Sequence, residues 1–285
     1  MAILNKAIKL ASGVQIPQIG IGTFDMRGTD CTSAVSSALK LGYRHIDTAL
    51  AYKNENVLKL AVNRVPRENV FISTKIIPSS KGFQFTYIKV LKSLEAMHCK
   101  YFDMVLLHWP GVDGFRPDDP RMPKMRLHSW EALEVLKEEG KVKSIGVSNF
   151  LINHLEQLLE RAKTKPDVNQ IEHHPYCQNG GLIDFCRENS IQIVASSPLA
   201  KGNESLFNNE TLKSIAEDKK ATVAQVALKW AAQKDFVIIP KSVNLSRMKE
   251  NINLDFFSLN AEDLARIDSL NQNFHVSWDP STILT

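Results

Sequence analysis

Eight short runs of β-type residues, separated by helical patterns, constrain this chain more than any other feature. They lie at Ile19–Gly22, Tyr43–Ile46, Val70–Thr74, Met104–Leu107, Val142–Val147, Val168–Ile171, Ile191–Ala195 and Phe236–Ile239. At or just past their ends stand seven polar residues: Asp47, Lys75, His108, Asn149, Gln170, Ser197 and Lys241. Groups so far apart in sequence converge only if the runs lie side by side and point the same way. A closed parallel barrel does this, and it gathers chemistry at the C-terminal rim of its strands.

Helical periodicity fills the intervals. Phe85, Ile88, Leu91 and Leu94 form one stripe, and Trp130, Leu133 and Leu136 another, with Gly140 as its stop. Leu151, Leu155 and Leu158 form a third, and Val223, Val226 and Trp230 a fourth. These stripes read as core packing. Ahead of them, IKLASGVQIP alternates around Ser12-Gly13 and predicts a hairpin. No Ser/Gly-rich linker or charge block splits the chain, so the expectation is one domain over residues 1–285. An open dinucleotide-binding sheet is disfavoured, because Gly20-Ile21-Gly22-Thr23-Phe24-Asp25 lacks the third glycine of GxGxxG. The expected fold is α/β, a (β/α)8 TIM barrel with an N-terminal β-hairpin.

Composition narrows the partners. Charged residues make up 23% and the net charge is +4, which suits a small anionic ligand and argues against nucleic acid. Four cysteines without a CxxC pair indicate reduced thiols, and no apolar run of membrane length occurs. The expectation is a cytoplasmic protein that engages neither membrane nor nucleic acid. The Pro110–Leu127 stretch, with its four prolines, is too long for an ordinary connection and is expected to wall an active site.

Tyr52 follows Asp47 by five residues, and Lys75 ends VFISTK. A phenol titrates near ~10 in water, so it holds its proton at neutral pH. An ammonium beside it stabilises the phenolate and lowers that pKa, and a carboxylate such as Asp47 balances the ammonium. His108 can hydrogen-bond a carbonyl oxygen near the phenol. Such a set protonates a developing oxyanion without any nucleophile, which suits hydride transfer to a carbonyl. Taken singly, each has a plainer role: Asp47 as a helix cap, Tyr52 as packing. Ser148, Asn149 and Gln170 offer a hydroxyl and two amides, a match for a carboxamide. Lys241, Ser242 and Arg247 precede or open a helical pattern, where a phosphate fits. His173-His174 with His108 could suggest a metal, but neighbours on a strand face opposite ways and no ligand spacing supports one, so no metal is expected.

These motifs resemble those of the aldo-keto reductase family over nearly the whole chain. GYRHIDTALAYKNE, STK, LLHWP, GKVKSIGVSNF, NQIEHHPY, SSPLAKG and IPKSVNLSRMKEN are similar to the family's segments in their expected order. The resemblance implies an NADPH-dependent, monomeric reductase of aldehydes or ketones without metal or flavin. It implies a catalytic set of Asp47, Tyr52, Lys75 and His108, with Tyr52 as general acid. Gly22, Thr23, Asp47, Ser148, Asn149, Gln170, Ser196, Ser197 and Leu199 would line the cofactor. Lys241, Ser242, Arg247, Glu250 and Asn251 would hold its adenosine end, the two cations selecting a 2′-phosphate. Phe24, Tyr52, Ile77, His108, Trp109 and Trp278 would face the substrate. An alternative is a non-catalytic NADP(H)-binding regulatory or redox-sensing protein on the same barrel. A phosphate-substrate isomerase would leave Ser148, Asn149 and Gln170 without a task. Three positions depart from the family pattern: Ser196 stands where an aromatic ring is usual, Lys53 where glycine or glutamine is, and Ala200 where glycine is.

Overall fold

The computed structural model describes residues 2–284. Two antiparallel strands come first, β1 (Ala7–Lys9) and β2 (Gln15–Pro17), joined through a turn in which Gly13 takes a φ of +88°. Eight parallel strands follow: β3 (Ile21–Gly22), β4 (His45–Asp47), β5 (Phe71–Ile76), β6 (Phe102–Leu107), β7 (Val142–Ser148), β8 (Val168–Glu172), β9 (Gln192–Ser196) and β10 (Val237–Ile238). Each pairs with its predecessor in sequence order. The ring is closed by a parallel bridge between Ile19 and Ile238, where the Gly20 amide donates to the Ile238 carbonyl at 2.9 Å and the Ile238 amide to the Gln18 carbonyl at 2.8 Å. The result is a (β/α)8 barrel.

Strand alternation sorts the residues into two cores. On β5, Phe71 joins the apolar cluster inside the barrel, whereas Ile72 and Ile76 join the layer between strands and helices. The inner cluster contains Met104, Leu106, Val168, Val194, Val237 and Ile239, and the hairpin adds Leu10 and Ile16. The hairpin therefore plugs one end with apolar side chains. Nearer the other end the interior turns polar, with Ser73, Lys75 and Gln170 all buried. Gly146 on β7 marks how tightly the inner layer is packed: a Cβ there would meet Val168 Cγ2 at 2.7 Å and Leu106 Cδ2 at 2.8 Å.

Two local expectations need correction. In the helix Gly82–Met97 the inward face is Thr86, Val90, Ser93, Leu94 and Met97, and Ile88 is exposed. A three-residue step drifts around a helix of 3.6 residues per turn, so the predicted stripe leaves the core. The Pro110–Leu127 stretch is also not a continuous loop. A helix begins at Met122, with Pro123 in its first turn, where a missing N–H costs no helical bond. Among the described residues no helix is long and apolar enough to cross a membrane.

Candidate active site

Strand register brings Asp47, at the end of β4, opposite Ser73 on β5, with Lys75 two residues further along the same strand face. The Lys75 ammonium donates to Asp47 Oδ2 at 2.5 Å and to the Thr48 carbonyl at 2.9 Å. Asp47 Oδ1 accepts from Ser73 Oγ at 2.8 Å and from Gln170 Nε2 at 2.9 Å. Both charges are almost wholly buried, so each depends on the other and on these hydrogen bonds. Burial opposes the charge on Lys75, but Asp47 and Tyr52 outweigh it and hold its pKa above the ordinary lysine value.

Tyr52 closes the short 3-10 turn Leu50–Tyr52, with its ring 5.3 Å from the Lys75 ammonium. Its pKa is raised: desolvation is the largest influence, and Lys75 pulls the other way without overcoming it. The ammonium alone would lower it, as its motif spacing suggests; burial reverses the sign. His108, just beyond β6, meets Tyr52 edge to face at 5.7 Å between ring centres. Burial, then Lys75, push its pKa down to about 3, so it is neutral across the working pH range. Its Nδ1 is buried and has no partner among the described residues.

An aromatic chain continues outward. Phe24 packs edge-on against Tyr52 at 5.2 Å, and Trp278 lies 5.9 Å from His108 and 5.5 Å from Trp109. Phe24 and Trp278 are 53% and 57% exposed, leaving one large ring open to solvent beside Tyr52 and another beside His108. Ile77 is half-buried directly after β5.

The other predicted positions occupy the remaining rim. Ser148 Oγ donates to the Gln170 carbonyl at 2.9 Å, and Asn149 Nδ2 donates to the His108 carbonyl at 3.0 Å. Asn149 adopts a left-handed backbone, φ +61°, as does Ser197 at +47°. Gln170 differs from expectation, since one of its amide hydrogens is spent on Asp47. Thr23 Oγ1 donates to the Asp47 carbonyl at 3.0 Å. A Cβ on Gly22 would come within 3.0 Å of the Ile239 carbonyl oxygen and 3.8 Å of Lys241 Cβ, so glycine lets β3 approach the last strand closely. Ser196 and Leu199 are half-buried. Lys241 and Arg247 are exposed, Ser242 and Asn251 buried, and Asn244 caps the helix Leu245–Ile252 by accepting from the Arg247 amide. Glu250 accepts from Thr222 Oγ1 at 2.7 Å. Lys53 and Ala200 have φ of +55° and +47°, which explains why glycine suits both positions.

A match to the aldo/keto reductase family model extends over residues 18–272. The chain belongs to the aldo-keto reductase family. It is 40% identical to the glyoxal reductase of Bacillus subtilis, over 99% of this chain and 98% of that one. It is 34% identical to the glycerol 2-dehydrogenase (NADP(+)) of Saccharomyces cerevisiae, over 97% and 96%. The crystal structure of MGS-M4, an aldo-keto reductase from a Medee basin deep-sea metagenome library, superposes with a TM-score of 0.90 at 37% identity. That match covers 98% of this chain and all of the other. This aldo-keto reductase is thus an oxidoreductase whose relatives include named reductases.

Two buried residues at the site were not singled out from the sequence. Asn54 accepts from Thr48 Oγ1 at 2.7 Å and donates to the Thr23 and Met26 carbonyls, tying the loop after β3 to the loop after β4. Its signal was weak, a polar residue two beyond Tyr52. Glu172 lies two residues after Gln170 on β8, and strand alternation gives the two a common face, which was a usable clue. The histidines considered as metal ligands do not converge. His173 stacks on Trp230 at 4.7 Å, while His174 Nε2 bonds Glu172 Oε1 at 2.8 Å. Glu172, Cys177 and His275 do bring ligand-type atoms within 4.8 Å of one another. However, Cys177 Sγ is 3.5 and 3.8 Å from the two His275 ring nitrogens, so it lies against the ring and not in line with either lone pair.

Proposed function

We propose that this aldo-keto reductase reduces aldehydes or ketones to alcohols with NADPH, using Tyr52 as general acid. The observation that carries the reading is the buried Asp47–Lys75 pair beside a phenol that keeps its proton, with a neutral imidazole next to it. His108 donates a hydrogen bond to the carbonyl oxygen and holds it near the phenol. As negative charge develops on that oxygen, Tyr52 transfers its proton, and Lys75 stabilises the phenolate left behind. General acid catalysis of this kind contributes typically ~10²–10⁴-fold. The aromatic rings of Phe24, Trp109 and Trp278 give the carbonyl's substituent an apolar wall.

The rim fits a nicotinamide dinucleotide. Ser148 ends β7 with Asn149 directly after it, and two exposed cations stand at a capped helix start. When bound, the cofactor supplies the hydride. Ser148 and Asn149 would orient its carboxamide with Gln170, whose amide also steadies Asp47. Lys241, Ser242 and Arg247 would hold the 2′-phosphate, in keeping with the NADP(+) in the yeast relative's name. A non-catalytic binding protein would have no use for a buried Lys75–Asp47 pair beside a phenol.

NADPH consumption against a panel of aldehydes and ketones, with Tyr52→Phe alongside, tests this. Turnover by the wild type and a fall of ~10²-fold or more in the variant are expected, with NADPH affinity unchanged. Binding of NADPH without turnover of any carbonyl would overturn the reading, and full activity in Tyr52→Phe would remove the acid assignment.

A further inference from the structure

The tail that carries Trp278 is anchored from inside the barrel. Glu172, the last residue of β8, is buried, and its carboxylate reaches across more than a hundred residues of sequence to the C-terminal segment. Oε1 accepts from the Val276 amide at 2.7 Å and Oε2 from the Ser277 amide at 2.8 Å. His174, fully buried, donates to Oε1 from the strand side at 2.8 Å. A carboxylate this deep is stable only when its oxygens are satisfied, and two of its three donors belong to the tail. Lys201 grips the Val276 carbonyl from the solvent side at 2.7 Å. Further on, Arg126 and His154 hold the Leu284 and Ile283 carbonyls at 2.7 and 3.0 Å. The segment between these clamps carries Trp278, whose ring is exposed yet lies against His108 and Trp109.

We infer that Glu172 is a positioning residue for substrate selection: its carboxylate seats Val276 and Ser277 so that Trp278 forms one side of the mouth above Tyr52. It touches neither the reacting atoms nor the aromatic wall. The inference rests on the carbonyl-reductase reading for its kinetic part alone. A seated Trp278 favours carbonyl compounds with an aryl or bulky apolar substituent, which can lie against its ring. A small dialdehyde such as glyoxal is too short to use it. Releasing the anchor therefore changes KM for the first class and leaves kcat, whose groups lie on β4 and β5 or in the segments just after β4 and β6, in place.

The test uses the full chain with Glu172→Gln, Trp278→Ala and the double variant. Gln keeps the shape but replaces one acceptor oxygen with a donor that faces one of the two tail amides. Chymotrypsin, which cuts after Phe274 and Trp278, is expected to cleave the Glu172→Gln tail several-fold faster than wild type. KM for benzaldehyde should rise ~2–10-fold, the worth of one aromatic contact, with kcat and the glyoxal KM unchanged. In the Trp278→Ala background, Glu172→Gln should add no further change in KM, because its effect passes through that ring. Wild-type cleavage and selectivity in Glu172→Gln would overturn the inference, and so would fully additive effects. If Glu172→Gln does not fold, Val276→Pro removes the tail's own N–H without altering the barrel interior, and the same outcomes apply. If no carbonyl is reduced by any form, cleavage alone decides the anchor, and it is the proposed reaction that fails.

Discussion

At the scale of single residues, the site depends on one buried ion pair. Asp47 and Lys75 were legible in the sequence as a carboxylate and an ammonium beyond successive strands, but their burial was not. Removing one partner strands the other charge, a change that costs about 3–5 kcal/mol in buried pairs. Lys75→Met is therefore expected to lower stability by about that amount, read as a shift in urea midpoint, in addition to its loss of turnover. A shift below about 1 kcal/mol would mean that water or a rearranged side chain satisfies Asp47. The sign of the Tyr52 shift is a second instance. Proximity to a lysine could be guessed from motif spacing, whereas desolvation depends on what surrounds the ring. Lys53 and Ala200 complete this scale: both sit in left-handed backbone without being glycine, a strain invisible until φ is known.

Among the elements, eight strand positions were readable to within about two residues, because β-branched runs and rim residues both mark them. The helix Gly82–Met97 was found but its inward face was mistaken, and the helix starting at Met122 was hidden in a proline-rich stretch. β7 carries a sharp prediction. A methyl group on Gly146 has no room between Val168 and Leu106, so Gly146→Ala should destabilise the barrel by about 1–3 kcal/mol, measured by denaturant unfolding. The helix Leu245–Ile252 carries another. Each charge-assisted bond to a phosphate is worth about 1.5–3 kcal/mol, so Lys241→Ala with Arg247→Ala should raise the Kd for NADPH ~10-fold or more and leave NADH nearly unchanged. Titration of cofactor binding by protein fluorescence quenching measures both, and equal losses would sink the 2′-phosphate assignment.

For the whole molecule, folding buries four histidines as neutral rings. Burial pushes His45 and His154 down to about 4 and His108 and His173 to about 3. The unfolded chain takes up protons on these rings near pH 6.5, while the folded one does not until the lower values are reached. Their contribution to stability is thus complete above about pH 6.5 and is lost as pH falls toward 3–4, by up to about 1.4 kcal/mol per pH unit for each ring. Thermal unfolding from pH 7 to pH 4.5 should show a steep fall in Tm, softened in a His173→Gln variant if that ring contributes as its stacking on Trp230 implies. A flat profile would show that these rings are hydrated or already protonated. The sequence by itself determined the barrel, the family and the rim residues, because strand period, helix period and motif order are local properties that survive without coordinates. Closure of the ring decided the rest. It placed Gln170 of β8 against Asp47 of β4 and buried the phenol enough to raise its pKa. It also set a carboxylate on β8 under a tail more than a hundred residues later, since such contacts exist only once distant segments share one interior.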